Sequence, residues 1–233
     1  MKNCTMLLAL VAMVVLAAGA PAPAGIIDLS GQSVTADSVN SDPGSAKERA
    51  FDNAATTRWT SAYAPQGQYP AGTHSRWIYV DLGALYEIDK VRVDIENSAP
   101  GDYTLRVYNG ATAPDPITAL GSWTTIATIT GRQVGGTVPP AVNYNGTTWD
   151  ETFDFDAGTH TSHTGTVGTA SVVSGGGTGN WLLLHSTKAA GNNDALSLWE
   201  VEVTGHVVPE PSTLALAAVG LLGLIGFGWR RKR

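Results

Sequence analysis

The chain has 233 residues, a formal net charge of −6, 27 glycines and a single cysteine. That length holds one ordinary domain plus targeting segments. The acidic balance excludes a nucleic-acid reader, since nothing neutralises phosphate, and one cysteine excludes a disulfide framework.

The N-terminal 24 residues have the layout of a signal peptide. Lys2 supplies the positive start, Met6 to Ala18 is apolar, and Ala22-Pro23-Ala24 fits the small-x-small cleavage pattern. The mature chain is therefore expected to begin near Gly25, since cleavage after Ala20 would leave Pro21 beside the scissile bond. Cys4 leaves with this segment, so the exported part has no thiol chemistry, and its core must hold unaided or with a metal. Removing Lys2 and the four C-terminal basic residues leaves 9 of 14 Lys and Arg, and removing Glu210 leaves 19 of 20 Asp and Glu, so the exported part carries about −10. Residues 25–32 are expected as a leader to a domain over 33–205, with 206–211 as a linker, 212–229 as a membrane helix and 230–233 as a basic cytoplasmic end.

The middle alternates with a period of two. Arg76 to Leu82 places Ile78, Val80 and Leu82 on one face, and Lys90 to Glu96 places Val91, Val93 and Ile95 inward. Tyr103 to Tyr108, Trp123 to Thr130, Thr152 to Phe155, Trp181 to Ser186 and Leu196 to Thr204 behave likewise, separated by Gly, Pro, Asn or Asp as at Asn109-Gly110. Seven or more such strands predict an all-β antiparallel sandwich or barrel. Between Gly131 and Gly179 the chain is Gly/Thr/Ser-rich, a composition that predicts loops over core.

Three stretches carry a family resemblance. They are Ala50 to Ser61 (AFDNAATTRWTS), Trp77 to Gly83 with Tyr86 to Val93 (WIYVDLG and YEIDKVRV), and Leu198 to Gly205 (LWEVEVTG). In that order they resemble the discoidin, or coagulation-factor type C, domain, a galactose-binding-like jelly roll, over about Ser33 to Gly205. The resemblance implies a structural calcium ion held by the Asp52 and Glu200 carboxylates, the carbonyls of Arg49, Ala54 and Trp199, and Thr57. Calcium takes six to eight such oxygens. The alternative reading of the same residues has Asp52 capping a turn and Glu200 facing solvent.

The resemblance also implies a sugar site on loops at one end of the sandwich. Sugars present C–H faces to aromatic rings and hydroxyls to polar groups. The loop from Ala62 to Ser75 offers Tyr63, Tyr69 and His74, the loop after Ile95 offers Glu96, Asn97 and Asp102, and Arg76 or Arg92 could clamp. Trp59, Trp77 and Trp199 lie inside the motifs and are expected in the core. His160-x-x-His163 lies in the Gly/Thr-rich region and is expected to be exposed, and His185 alternates with Trp181 and Leu183 as a structural histidine. No Gly-x-Ser-x-Gly elbow or phosphate loop occurs.

The chain closes on Val208-Pro209-Glu210-Pro211, an uncharged apolar run from Leu214 to Trp229, and Arg230-Arg231-Lys232-Arg233. As a helix, Ser212 to Trp229 spans roughly 27 Å, enough for a hydrocarbon core, and the basic cluster would stay cytoplasmic. This order of parts resembles the PEP-CTERM sorting signal of Gram-negative bacteria, which implies processing by an exosortase-type membrane peptidase on the way to the surface. The leading expectation is a non-catalytic, exported module that binds carbohydrate. A structural matrix or adhesion protein is the second, and a β-sandwich hydrolase or lyase, which needs two carboxylates across a cleft, is the third.

Overall fold

The computed structural model describes residues 23–209, except 43, 55, 63–74, 96–99, 132–148, 163–168 and 190–194, together with 220 and 224. The chain divides into two units, Ala24–His206 and a second made of the two ends, Met1–Pro23 with Val207–Arg233. In the second unit Gly220 and Leu224 are helical and exposed, and no helix of the described residues is long and apolar enough to cross a membrane. The expected signal peptide (1–24) lies outside them but for Pro23 and Ala24. The expected membrane helix (212–229) does so but for Gly220 and Leu224.

Eleven strands appear among the described residues of the chain: β1 (Gly25–Ile26), β2 (Val34–Ala36), β3 (Trp59–Thr60), β4 (Arg76–Ile95), β5 (Pro100–Tyr108), β6 (Thr124–Thr130), β7 (Trp149–Asp154), β8 (Thr159–Ser162), β9 (Thr169–Val172), β10 (Thr178–Ala189) and β11 (Ser197–Val207). The described pairings are antiparallel, as short connections between strands favour. The two expected strands at 76–82 and 90–96 are one long strand, β4. Its first half pairs with β2 and β10, and its second half with β7. Gly83, at φ +80, lies between the halves, a backbone value that favours glycine, and its N–H donates to Asp81 Oδ1.

β4 thus passes from one layer of a sandwich to the other. The front layer runs β9-β6-β5-β10-β4-β2. The back layer holds β1 and β11 beside the second half of β4, then β7 and β8, and the contacts of Glu202 with Arg92 and His206 with Glu87 fix β11 there. Ile78, Val80, Leu82, Leu105, Val107, Leu182 and Leu184 from the front meet Val91, Val93, Ile95, Phe153, Val201 and Val203 from the back in one core. Burying a side chain of this size stabilises by about 1.5–3 kcal/mol.

Three features depart from simple alternation. Residues 25–32 put Ile27 and Leu29 into the core. The Gly/Thr/Ser-rich stretch forms β8 and β9 at the edges of the back and front layers, where β-branched residues suit a half-buried strand. The expectation of loops there is corrected accordingly, and His160 lies half-buried with its ring 4.8 Å from Phe153. Gly176 turns into β10 at φ +57, and a Cβ there would collide with the Ile88 carbonyl.

Candidate functional site

Two places in the sandwich gather chemistry. The first is built on the 3-10 turn Lys47–Phe51, which ends at Asp52. Asn53 follows in the left-handed region at φ 59, which asparagine tolerates, and its Nδ2 donates to Asp28. The reversal brings Ala54 and Thr57 back over Asp52. Thr57 Oγ1 lies 2.9 and 2.7 Å from the Asp52 carboxylate oxygens and 3.0 Å from the Ala54 carbonyl. The Ala54 N–H donates to both Asp52 Oδ1 and Glu200 Oε2, each at 3.1 Å, so the last strand meets the first loop.

Glu200 is buried, and its Oε1 has no hydrogen-bond partner among the described residues. Burial first, and then the Asp52 charge, push its carboxyl up to about 7. A buried carboxylate oxygen without a donor is costly unless a cation meets it. Two carboxylates, a hydroxyl and a loop carbonyl form the donor set of a hard divalent ion, so the residues present fit calcium. Among the described residues no three His, Cys, Asp or Glu side chains converge, so such an ion would lean on backbone and hydroxyl oxygens. Arg49 anchors the turn through Nη1 to Gly44 O, and Trp199 is buried with the Arg58 guanidinium 5.7 Å from its ring centroid.

The second place is the outer face of the front layer, opposite the core-facing side chains. Five rings meet there. Trp77 stacks on Tyr79 (5.5 Å, 11°), Tyr79 touches Trp123 and Trp181 (each 5.8 Å), and Tyr108 touches Trp123 (5.7 Å). Trp123 is buried as the floor, and the other four rings are half-buried. The turn after β5 is pinned beside them. The Asn180 amide bonds Gly110 N and O, Trp181 Nε1 donates to Gly110 O, and Trp123 Nε1 donates to Pro114 O. Trp77 Nε1 and the Tyr79 and Tyr108 hydroxyls make no hydrogen bond among the described residues.

Family models match both parts of the chain. Residues 49–148 match the NedA-like, galactose-binding domain of the F5/F8 type C class, and residues 207–232 match the PEP-CTERM protein-sorting motif. The first match starts at Arg49, in the loop that meets Glu200, and includes every ring of the aromatic face except Trp181. No curated protein matches the chain. Similar solved structures include chitosan-binding module 1 of a chitosanase/glucanase from Paenibacillus sp. IK-5, at 26% identity and TM-score 0.48, covering 77% of this chain and 98% of that one. Module 2 of that enzyme, in complex with chitotriose, is 23% identical at TM-score 0.47, covering 76% and 98%. The family 32 CBM of C. perfringens NanJ, in complex with galactose, is 11% identical at TM-score 0.46, covering 78% and 99%.

Of the expected ligand-binding residues, Tyr63, Tyr69, His74, Glu96 and Asn97 lie outside the described residues, as do Glu210 and Pro211 of the sorting motif. Val208 and Pro209 follow directly on β11. Arg76 is buried against Asp37, 2.8 Å from Oδ2. Arg92, on the outer face of the back layer, is held by Asp150 and Glu202 at 2.9 Å and Asp94 at 3.5 Å. Asp102 accepts from the Gly131 N–H. Trp59 and Trp199 are core, but Trp77 is not, because its strand turns Ile78 and Val80 inward and Trp77 and Tyr79 outward. That alternation was the available signal for the aromatic face. His185, opposite Trp77, is buried and engaged by Ser75.

Proposed function

We propose that this protein is an exported, non-catalytic carbohydrate-binding module, sorted through its C-terminal motif by an exosortase-type membrane peptidase to the cell surface or matrix. The carrying observation is the outer face of the front layer. Its half-buried rings give apolar contact, and the Trp77, Tyr79 and Tyr108 edges give donors without partners among the described residues. A sugar offers the complement, C–H groups on one face and hydroxyls on the rim. The matches to a galactose-binding domain and a sorting motif agree with this reading.

The same proposal gives calcium a structural role. Asp52, Glu200, Thr57 and the carbonyls of Arg49, Ala54 and Trp199 would hold it. Bound there, the ion supplies positive charge to two facing carboxylates and joins the first loop to the last strand, in a domain with no disulfide. The residues themselves already hold the arrangement, with the Ala54 N–H bridging both acids.

The test is a glycan array probed with the full chain in detergent micelles, alongside the Trp77→Ala/Tyr79→Ala double variant. The expected result is binding to a subset of glycans that the double variant loses while its thermal unfolding stays cooperative. No retention of any glycan overturns the reading in favour of a structural matrix role, and unchanged binding by the double variant removes the aromatic face from it.

A further inference from the structure

Arg106, beside the aromatic face, has no acid partner among the described residues. Arg106 lies on β5 between Thr104 and Tyr108, with its side chain outward. Arg106 is directly opposite Leu183 on β10, and Leu183 is opposite Tyr79 on β4. Arg106, Leu183 and Tyr79 thus form one cross-strand row, spanning roughly 10 Å at the usual strand spacing. The adjoining rows are Thr104–His185–Trp77 and Tyr108–Trp181–Asp81.

The Arg106 guanidinium is half-buried. Its Nε donates to Thr104 Oγ1 at 3.0 Å and Nη1 reaches Leu120 O at 3.4 Å. No carboxylate pairs with it among the described residues, and burial alone lowers its pKa from the ordinary value. The arginines on β4 differ, since Arg76 pairs with Asp37 and Arg92 with three acids. In an exported part that carries about −10, acids were available to pair with Arg106. Instead a planar fork of N–H donors remains partly unused beside four half-buried rings. Such a fork matches a carboxylate in two parallel bonds.

We propose that the outer face of the front layer takes an acidic glycan, with Arg106 receiving the carboxylate of a uronic-acid residue while Trp77, Tyr79 and Tyr108 contact the flanking sugar rings. One guanidinium reads one carboxylate. The acid excess of the domain repels those charges of a dense polyanion that come within about a Debye length of its surface, roughly 8 Å at physiological salt, so the glycan recognised is one with spaced acidic residues or a short acidic end. The inference rests on the carbohydrate reading and names the ligand class of that site.

The test compares a galacturonate trisaccharide with its methyl ester by titration calorimetry at one fixed calcium concentration, on the full chain in detergent micelles. Esterification removes the charge and keeps the sugar rings. The wild type is expected to prefer the acid by about 10–100-fold, the range of a charge-assisted hydrogen bond. Arg106→Gln should lose that preference and bind acid and ester alike, with its unfolding midpoint unchanged. Should that variant fail to fold, Arg106→Lys replaces it and is expected to retain a reduced preference. Equal wild-type affinity for acid and ester overturns the charge inference and leaves the carbohydrate reading standing. Preference retained in full by Arg106→Gln, or abolished in a folded Arg106→Lys, overturns the role of Arg106. Binding of neither trisaccharide, by a protein that binds neutral glycans on the array, overturns the acidic ligand class alone.

Discussion

On the outer face of the back layer Arg92 is held by Asp94, Asp150 and Glu202, and Lys90 by Asp154 at 3.0 Å. On the outer face of the front layer Arg106 has no acid partner, and three aromatic polar edges have no hydrogen-bond partner, among the described residues. The same fold therefore offers two outer surfaces with opposite treatment of charge. Where charges are matched within the protein, a face contributes to stability and offers little to a ligand. Where rings and a cation keep polar edges without a described partner, a face still gains stability from packing, and it is the face proposed to meet a ligand. The fold's own contacts separate the two roles.

The largest expected effect concerns neither face directly but the joint behind the back layer. Calcium at about 100 times its dissociation constant would stabilise by roughly 2.7 kcal/mol, or about 5–10 °C in a domain of this size. EDTA should lower the wild-type melting temperature by that amount. Asp52→Ala should start low and show no further shift, and an EDTA-insensitive wild type would remove the ion from the account.

The next effect separates the faces. Arg92→Ala leaves the buried Asp94 and two half-buried acids facing one another, so it should cost about 1–3 kcal/mol, between the values for exposed and buried pairs. Urea unfolding measures this, and glycan binding should be unchanged. Arg106→Gln should do the reverse, with a stability change within about 0.5 kcal/mol and a loss of acid preference. If both variants lose stability equally, the division between the faces is wrong.

The smallest effect is at the edge of the back layer. His206 meets Asp89 at 3.3 Å and Glu87 at 3.1 Å, and its pKa is raised above the ordinary histidine value, first by the hydrogen bond to Asp89. A raised histidine stabilises fully below its unfolded pKa, about 6.5, and loses that stabilisation as pH rises through its folded value. The wild type should therefore exceed His206→Gln in melting temperature near pH 5, by a margin that shrinks above neutrality. Most of the ring's surroundings are solvent-screened, so the margin is small. A margin that grows with pH would contradict the raised value.

The alternation of Ile78, Val80 and Leu82 against Trp77 and Tyr79 was readable from the sequence, because side chains on a strand point to opposite faces with a period of two. The same periodicity marked Val91, Val93 and Ile95 as core and put His185 beside Trp181 and Leu183. The ordered motifs made Asp52 and Glu200 a pair to examine, and the terminal motif announced sorting. The place of Trp77 inside a motif suggested the core against that alternation, and alternation alone does not say which outward face gathers rings. Cross-strand pairing decided it. Arg106 meets Leu183 and Tyr79 only because β5, β10 and β4 are neighbours, and Arg92 finds Glu202 only because β11 lies beside the second half of β4. The passage of β4 between layers, the burial of Ile27 and Leu29, and β8 and β9 within a Gly/Thr-rich stretch also depended on long-range partners. Local pattern determined what each strand could bury. The tertiary structure decided which charges met a partner, because partners 58 or 110 residues apart become neighbours only when the sheet is assembled.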